Sequence, residues 1–454
     1  MTNGTDGIQS LVFTGFASLD AARFLLLRVV DPPAARASLG RLVEHGLRFG
    51  KGTREDRWHT ALQIAFSADG LRTLGVTEDV LQTFERPFVE GIETEHRKRV
   101  LGDEGDNAPE HWAWRQRDLH AVLFVYAKGP ELDAYTEATA ARLAGWQVVR
   151  MLDTVTLDAN REHFGFHDGI AQPKLALATD DGPASPPDAL PLGEFVLGHR
   201  DLADQPAPTA ADAGEATRQD GSYLVLRQLQ EDVPAFWQDI RRRAGPDEQH
   251  AVWLAAKMMG RWPNGMPLAP GPVGPQPELP PGGTLPNGGE LAYGADPQGL
   301  GCPRGAHVRR ANPRDALGSE ENVKRHRILR RGRCYGLPAP ASVFPAGVTV
   351  TARAGTGALE DDRGLLFACL CADLSRQFEL IQQTWLNNPK HDGLFDEVDP
   401  IASGQAITAD ERRYTIPEAP VRCRLHAVPF TVRVRGGAYL FLPGKAALSR
   451  LAEG

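Results

Sequence analysis

The sequence predicts an α+β fold made of two similar halves. In the first half, short apolar runs alternate with helical segments in the order strand–helix–strand, strand–helix–strand. This order is the split βαβ pattern of a ferredoxin-like fold. The opening of the pattern occurs again after residue 220, as an apolar strand with one embedded arginine, an acidic turn, a proline and a helix. We therefore predict two ferredoxin-like domains, each an antiparallel sheet with helices on it.

The first half supplies four predicted strands and three helices. The run at residues 22–30 is short, apolar and bounded by turn signals, which is typical of a buried strand. Asp31 and the two prolines after it are typical of a helix start, and this helix should extend to about Phe49. A second helix opens at Ser67 and a third covers residues 131–144. The other strands are predicted at residues 60–66, 120–126 and 146–152.

The second half begins with a strand at residues 221–229 and a helix at residues 233–243. A strand at 367–374 leads into a helix at 375–386. Two strands, 429–434 and 438–442, should pair as a hairpin across Arg435-Gly436-Gly437. Segments rich in proline, glycine and small polar residues, at 179–216 and 270–289, read as linker and surface loop. We place the N-terminal domain at residues 1–219 and the C-terminal domain at residues 220–454.

Composition restricts the class of protein. The 454 residues carry a net charge of −8, which disfavours binding to nucleic acid or anionic membranes. No apolar run approaches the roughly 20 residues of a membrane helix. The N-terminus has no basic, apolar leader, so a cytoplasmic location is expected. The five cysteines show no disulfide-scaffold spacing, and Cys369-x-Cys371 lies in an apolar run, so free thiols are predicted.

One basic stretch stands out in this acidic chain. Residues 301–336 contain ten Lys or Arg residues against three acids. A solvated basic loop would explain the charge, whereas a nucleic-acid patch is disfavoured by the overall acidity and by the lack of interleaved aromatic residues. The third interpretation is a pocket for an anionic cofactor, with a ligand supplied by His307 or His326.

Three motifs resemble those of the dye-decolorizing peroxidases, in the order of that family. Residues 302–314, CPRGAHVRRANPR, resemble the proximal haem-ligand motif. Residues 325–336, RHRILRRGRCYG, resemble the distal-arginine segment, and residues 165–169, GFHDG, match the G-x-x-D-G signature. Further matches at residues 254–263, 363–367, 385–389 and 435–443 extend the resemblance over nearly the whole chain.

The resemblance implies a haem peroxidase that reduces hydrogen peroxide through a ferryl intermediate and then oxidises organic donors such as dyes and phenolics. The cofactor would be haem b, held in the C-terminal half and facing the inter-domain region. His307 matches the axial ligand, and Asp399 matches the carboxylate that accepts a hydrogen bond from such a histidine. Asp399 lies in the acidic segment 396–401, and the alternative is that the acids of this segment are simply solvated in a turn. Arg309 and Arg310, or Arg304 or Arg314, are candidates to bind the haem propionates.

The same resemblance assigns the distal side. Asp168 matches the residue that moves a proton between the peroxide oxygens, and Arg330 the positive group beside the departing oxygen. A histidine is the commoner general base, so His167 is the alternative that a reader without the family in mind would choose. Leu365 and Phe367 match apolar residues that cover the distal face.

Two other functions fit the same family. One is a haem carrier or iron-release protein of the deferrochelatase kind, which would need reversible loss of haem. The other is the cargo of a protein shell, but the chain offers no extended docking peptide after its last predicted helix. The expected partners are therefore hydrogen peroxide and small organic electron donors, without nucleic acid or membrane.

Overall fold

The computed structural model describes residues 4–52, 58–177, 188–203, 214–268, 276–278, 285, 292–355, 362–405 and 407–453. The strands of this part of the chain are β1 (Ala21–Val29), β2 (Thr60–Phe66), β3 (Trp114–Arg115), β4 (Ala121–Ala127), β5 (Trp146–Asp153), β6 (Val155–Leu157), β7 (Lys174–Ala176), β8 (Ala189–Pro191), β9 (Ser222–Glu231), β10 (Leu329–Arg330), β11 (Arg333–Tyr335), β12 (Ala352–Gly355), β13 (Gly364–Cys371), β14 (Arg413–Ile416), β15 (Cys423–His426) and β16 (Val432–Leu442).

The helices of the described residues are α1 (Pro32–His45), α2 (Ala68–Thr73), α3 (Glu78–Leu81), α4 (Arg86–Glu90), α5 (Glu95–Leu101), α6 (Leu132–Ala140), α7 (Glu215–Arg218), α8 (Val233–Ala244), α9 (Glu248–Met259), α10 (His307–Ala311), α11 (Glu320–Lys324) and α12 (Lys445–Glu453). The helix predicted at 375–386 forms as two π-helical segments, Ser375–Glu379 and Ile381–Leu386. None of these helices is long and apolar enough to cross a membrane.

The pairing of the strands confirms two ferredoxin-like halves. In the first, β1 lies between β4 and β5, and β4 also pairs with β2, all antiparallel. In the second, β9 lies between β13 and β16, and β13 also pairs with β11, again antiparallel. Both halves thus place their first strand at the centre, with the fourth beside it. A pairing of Phe441 with Phe66 joins them into one sheet.

Helix α1 shows how local chemistry sets an element's limits. The Asp31 side chain accepts a hydrogen bond from Ala34 N, and prolines occupy the first helical positions, as the sequence predicts. The helix ends at His45 rather than near Phe49. The Gly46 N–H closes the last turn on Leu42 O, after which Arg48 N bonds to Leu62 O of β2. The chain therefore leaves the helix to reach the sheet.

The predicted hairpin around Gly436 and Gly437 is wrong. β16 runs without a turn from Val432 to Leu442 and pairs with β9 along its length, with one irregularity between Val434 and Gly436. A Cβ on Gly436 would lie 2.3 Å from the Trp114 ring. The two glycines allow a tryptophan to lie against the strand, a use that sequence alone does not distinguish from a turn.

Buried side chains fill both faces of the sheet. One group packs beneath α1, α2 and α12, and another packs on the opposite face around Phe24, Phe124 and Tyr126. A third group, centred on Trp237 of α8, joins that helix to α9 and to the loop before Asp168. All five cysteines are free thiols. The interpretation of 179–216 as a linker falls partly, and that of 270–289 largely, outside the described residues.

Candidate functional site

A cavity lies between the second-half sheet on one side and α10 with the π-helical segments on the other. Both halves of the chain contribute to its wall. Most of the lining is apolar, and the polar groups come from a few positions. The lining includes Leu101, Asp103, Glu162, Phe164, Phe166, His167, Asp168, Arg227, Glu231, Met259, Arg261, His307, Val308, Arg327, Arg330, Leu365, Phe367, Phe378, Ile381, Ile401 and Val434.

His307, the first residue of α10, lines the cavity and is fixed from behind by Asp399. Its Nδ1 lies 3.0 Å from Oδ2 and 3.2 Å from Oδ1 of that carboxylate. Among the described residues the ring's hydrogen bonds involve Nδ1 alone, which leaves Nε2 as the available nitrogen. Burial opposes a charge on this imidazole, but the Asp399 carboxylate and its hydrogen bond outweigh it and raise the pKa of His307.

Asp399 is fully buried and held by its own loop. Its Oδ1 accepts hydrogen bonds from Ile401 N at 2.9 Å and Ala402 N at 2.7 Å. Burial alone would raise the pKa of this carboxyl group, yet His307, the backbone donors and Arg310 lower it below the ordinary value. An ionised carboxylate therefore faces Nδ1, the arrangement that orients a ligating histidine.

Asp168 and Arg330 meet on the opposite side of the cavity from the helix of His307. Arg330 Nη1 donates to Asp168 Oδ1 over 3.0 Å. The Asp168 side chain is 48% exposed, and the residue lines the cavity. Burial raises the pKa of this carboxyl group. The charge and hydrogen bond of Arg330, together with the Gly169 N–H, lower the pKa by more, so that it falls below its ordinary value.

Strand alternation separates Arg330 from its neighbour Arg331. Arg330 pairs with Cys369 of β13 and directs its guanidinium into the cavity. Arg331 points the other way and donates to Leu11 O and Val12 O, at 2.6 and 2.7 Å. Successive side chains of a strand lie on opposite faces, so only one of the two can serve the cavity. Leu365 and Phe367, two residues apart on β13, both line it.

His167 also lines the cavity. Its backbone N–H donates a hydrogen bond to Pro263 O. Burial first, and then Arg161, lower the pKa of its imidazole. His326, the other candidate ligand of the basic stretch, instead turns its Nδ1 toward Arg376 O at 2.6 Å and does not line the cavity. Of the two histidines in residues 301–336, only His307 is placed for a cofactor.

The structure does not bring Arg309 and Arg310 to the cavity. Arg309 is buried between Asp296, Asp392 and the Tyr293 ring. Arg310 is fully buried, and its guanidinium donates to the main-chain carbonyls of Trp385, Leu386, Asn388 and Glu397. On the short helix α10, both positions face away from the side on which His307 lines the cavity. Both arginines instead connect loops through hydrogen bonds and ion pairs.

Three further arginines that the sequence did not single out reach the cavity, and one of them, Arg227, is paired with Asp103. Arg327 donates to Ala171 O over 2.8 Å and forms no ion pair with a described residue. Arg261 donates to Gly265 O over 2.7 Å. Burial lowers the pKa of Arg261 and of Arg327 to about 10, with Arg314 adding to the positive surroundings of both. The motif around residue 261 and the basic stretch contained these two residues, but no spacing marked them as cavity residues.

These features fit a haem. A porphyrin needs an apolar slot, one axial donor and cations for its propionates. The cavity supplies apolar walls, an imidazole whose Nδ1 is already hydrogen-bonded to a carboxylate, and cations at the buried Arg261 and the half-buried Arg327. Within the described residues no group of three or more Cys, His, Asp or Glu side chains offers a site for a bare metal ion.

Comparison with known proteins agrees with this class of site. The family model for the DyP dimeric alpha+beta barrel domain matches residues 48–148, and the Dyp-type peroxidase C-terminal model matches residues 196–409. Together the two matches cover more than half of the chain. The chain belongs to the dye-decolorizing peroxidase family, whose members are haem peroxidases.

Individual relatives support the assignment. The multifunctional dye peroxidase DyP2 of an Amycolatopsis species is 29% identical over 97% of this chain and 92% of its own length. A dye-decolorizing peroxidase of Mycena epipterygia is 32% identical over 75% of this chain and 63% of its own. A deferrochelatase of Yersinia pseudotuberculosis is 29% identical over 65% of this chain and 52% of its own.

The fold agrees as well. A solved dye-decolorizing peroxidase in complex with 2,6-dimethoxyphenol superposes with a TM-score of 0.81 at 25% identity and covers 99% of both chains. A structure of an ancestral D-type dye-decolorizing peroxidase gives a TM-score of 0.77 at 26% identity and covers 98% of both chains.

Proposed function

We propose that this haem peroxidase reduces hydrogen peroxide at the cavity between His307 and the Asp168–Arg330 pair, and oxidises small organic donors such as phenolics and dyes. The observation that carries the proposal is the opposition of two ion pairs across one apolar cavity, Asp399 with His307 and Arg330 with Asp168. The named complex of a related enzyme with a phenol supports the donor class.

On the proximal side, His307 would hold the iron of haem b through Nε2. Asp399 would accept a hydrogen bond from the Nδ1–H group and so make the imidazole a stronger electron donor. The bound haem would supply the redox chemistry of peroxide cleavage. Asp399 is itself held by two N–H donors, so the ring's orientation is set before a cofactor binds.

On the distal side, Asp168 would take the proton from one peroxide oxygen and return it to the other, which leaves as water. Arg330 keeps the carboxyl ionised and places positive charge beside the departing oxygen. Leu365 and Phe367 add apolar surface to the cavity wall near this pair. His167, with a lowered pKa and bulky ring, is the weaker candidate for the proton shuttle.

The propionate partners we propose are Arg261 and Arg327, with Arg314 near both, in place of Arg309 and Arg310. Charged arginines in an apolar wall are stabilised when carboxylates approach them. Burial lowers their pKa, and two bound carboxylates would reverse that effect. Loss of one such arginine would weaken haem retention and leave the His307–Asp399 contact in place.

A haem carrier of the deferrochelatase kind is the second candidate, supported by the similarity to the Yersinia protein. The two functions differ in how firmly haem is kept. A peroxidase should retain its haem through gel filtration against excess apomyoglobin, whereas a carrier should pass it on. The ionised Asp168–Arg330 pair favours the peroxidase, because a carrier has no use for a distal base.

We also propose a cytoplasmic location and a domain boundary near Asp220. The five free thiols support the first, since a reducing compartment keeps such thiols stable. The start of β9 at Ser222, the first strand of the second half, supports the second. Thiol titration of the denatured, unreduced protein should count five, and limited proteolysis should cut between the two sets of strands.

The function is tested most directly at His307. The His307→Ala variant should lose the Soret band of the bound haem, and added imidazole should restore part of it. The Soret band and peroxidase activity should fall together. An unchanged spectrum and unchanged activity would mean that another residue binds the iron. His326→Ala is the matched control, since that ring lies outside the cavity.

A further inference from the structure

Two glutamates of the cavity wall, the half-buried Glu162 and the buried Glu231, take no part in the chemistry above. Glu162 precedes the loop that carries Asp168, and Glu231 is the last residue of β9. Both line the cavity together with Asp168. Asp103, which also lines the cavity, is paired with Arg227, and the other three carboxyl groups face one largely apolar space, where ionisation of all three would be opposed by burial and by mutual repulsion.

Glu162 is anchored by the backbone. Its Oε2 accepts from Phe164 N and its Oε1 from Phe166 N, each over 2.8 Å. The carboxyl group therefore shapes the turn that leads to Asp168. Burial raises the pKa of Glu162 to about 7, although the two N–H donors lower it. Glu162 thus lies in the turn that leads to Asp168, and the Asp168 carboxylate adds to the increase in its pKa.

Glu231 is less well satisfied. The residue is 8% exposed, and its Oε2 accepts no hydrogen bond from the described residues. No ion pair within the described part of the chain involves it. A buried, unpaired carboxylate is strongly disfavoured relative to the same group in water, whereas a protonated carboxyl group avoids this penalty. Burial, followed by Glu162 and Asp168, raises the pKa of Glu231 well above the ordinary value.

The nearby cations Arg161 and His307 act on Glu162, whereas the pKa of Glu231 is raised by burial and by the carboxyl groups of Glu162 and Asp168. Arg330 is engaged with Asp168, and Arg227, which also lines the cavity, is paired with Asp103. From β11, Cys334 and Tyr335 lie within electrostatic reach of Glu231, and neither is a cation. The His307 imidazole acts on Glu162 rather than on Glu231.

We propose that Glu231, with Glu162 on the same wall, holds a proton and delivers it to Asp168 during turnover. This inference rests on the proposed peroxidase function. Reduction of one peroxide to two waters takes two electrons from the organic donors and two protons. Asp168 moves one proton between the peroxide oxygens but adds none.

The missing protons have a source in this arrangement. The O–H bond of the Glu231 carboxyl group breaks, and its proton passes to the Asp168 carboxylate. From there the proton goes to the oxygen that becomes the second water. Glu231 is left as a carboxylate until solvent protonates it again, and the second proton follows by the same route.

The first test needs no turnover. In the infrared spectrum of the resting haem protein at pH 7, the C=O band of protonated carboxyl groups should lose one component in Glu231→Gln. Glu137→Gln, an exposed residue of α6, should leave the band intact. An unchanged band in Glu231→Gln would mean an ionised Glu231 and would overturn the proposal. If that variant does not fold, carbon-13 NMR of the wild-type glutamate carboxyls must show one that is still protonated at pH 7.

The second test is kinetic. Stopped-flow mixing should show that Glu231→Gln slows the donor-dependent return of the enzyme to rest about 10²-fold, the lower end of the range for a lost general acid. The slowing should grow as the pH rises, and Glu231→Asp should recover part of the rate. A return step at the wild-type rate at every pH would contradict the proposal.

Two further outcomes would distinguish proton delivery from a cation site and from a failure of the proposed peroxidase function. Stoichiometric binding of Mn²⁺ to the holoenzyme that is lost in Glu231→Gln would make the pair a cation site and overturn proton delivery. A wild-type protein with the protonated band but no reaction with peroxide would instead refute the proposed function and leave the proton on Glu231 established.

Discussion

Arg330 Nη1 donates a hydrogen bond to Asp168 Oδ1 over 3.0 Å, although the two residues lie 162 positions apart in the chain. β10 directs the arginine into the cavity, and a loop fixed by the bond from Asp168 N to Asn160 O brings the carboxylate to it. Arg330 holds that carboxyl ionised against the effect of burial. The pair is therefore ready to accept a proton in acid, where an imidazole base would already be protonated.

We expect Asp168→Asn to keep a nearly normal resting haem spectrum and to react with peroxide about 10² to 10⁴ times more slowly, the usual contribution of a general base. His167→Phe should do much less. Stopped-flow mixing with peroxide measures both. A near wild-type rate in Asp168→Asn would leave Arg330 as the main distal group.

The pH dependence of the reaction with peroxide follows from the lowered pKa of Asp168. The pKa of Asp168 is lower in the folded protein than in an unfolded chain, so the ion pair stabilises the fold above the ordinary aspartate pKa. This stability is lost as the pH falls through the lowered pKa. Rapid reaction with peroxide should accordingly persist below the ordinary pKa of aspartate. A loss of rate near pH 6.5 would point to a histidine base.

Arg330→Leu and Arg331→Leu form a matched pair. Arg330→Leu should retain haem and slow the reaction with peroxide about 10²- to 10³-fold, as for one donor to a developing negative charge. Burial would then dominate at Asp168, so the acid limit of the residual activity should move to higher pH.

Arg331→Leu removes two hydrogen bonds to Leu11 O and Val12 O instead. It should lower the free energy of unfolding by about 1–3 kcal/mol for carbonyls left without donors, while the folded fraction reacts normally. Urea unfolding and stopped-flow kinetics measure the two effects. The reverse pattern, with Arg331→Leu inactive, would mean that the other arginine faces the haem.

Asp399→Asn tests the support of His307. Asparagine can still accept the bonds from Ile401 and Ala402, but it presents no negative charge to Nδ1. The haem should remain bound, its reduction potential should rise, and activity should fall about 10- to 100-fold, as is typical for partners of a metal ligand. Spectroelectrochemistry gives the potential. Asp410→Asn, on an exposed turn, is the control and should change neither value.

Gly436→Ala tests the close approach of Trp114 to β16. The added methyl group would lie 2.3 Å from the indole ring, and overpacking of this kind costs about 1–3 kcal/mol of stability. Urea unfolding should show that loss. Gly15→Ala, whose Cβ would have only an ordinary contact with Arg331, should unfold nearly as the wild type does. Equal stability of both variants would contradict the packing described for β16.

The amino-acid sequence by itself determined the strand–helix order and the positions of His307, Asp168 and Arg330. Apolar periodicity and capping residues act over a few positions, so β1, α1 and β9 could be located without the fold, and the motifs marked three residues that all line the cavity. Their assignment to the cofactor came from the resemblance to a family and from no spacing within the chain.

Only the tertiary structure decided which side chains share the cavity. Arg309 and Arg310 sit in the same basic stretch as Arg327, but the direction of α10 buries the first two against carbonyls while Arg327 reaches the cavity. Gly436 resembles a turn residue until the Trp114 ring is placed against it. Glu231 is one of 58 acidic residues, and it is distinguished by its burial and by an Oε2 atom that has no hydrogen-bond partner among the described residues. In each case the deciding contact joins distant segments, and local sequence carries no record of the partner that a side chain meets.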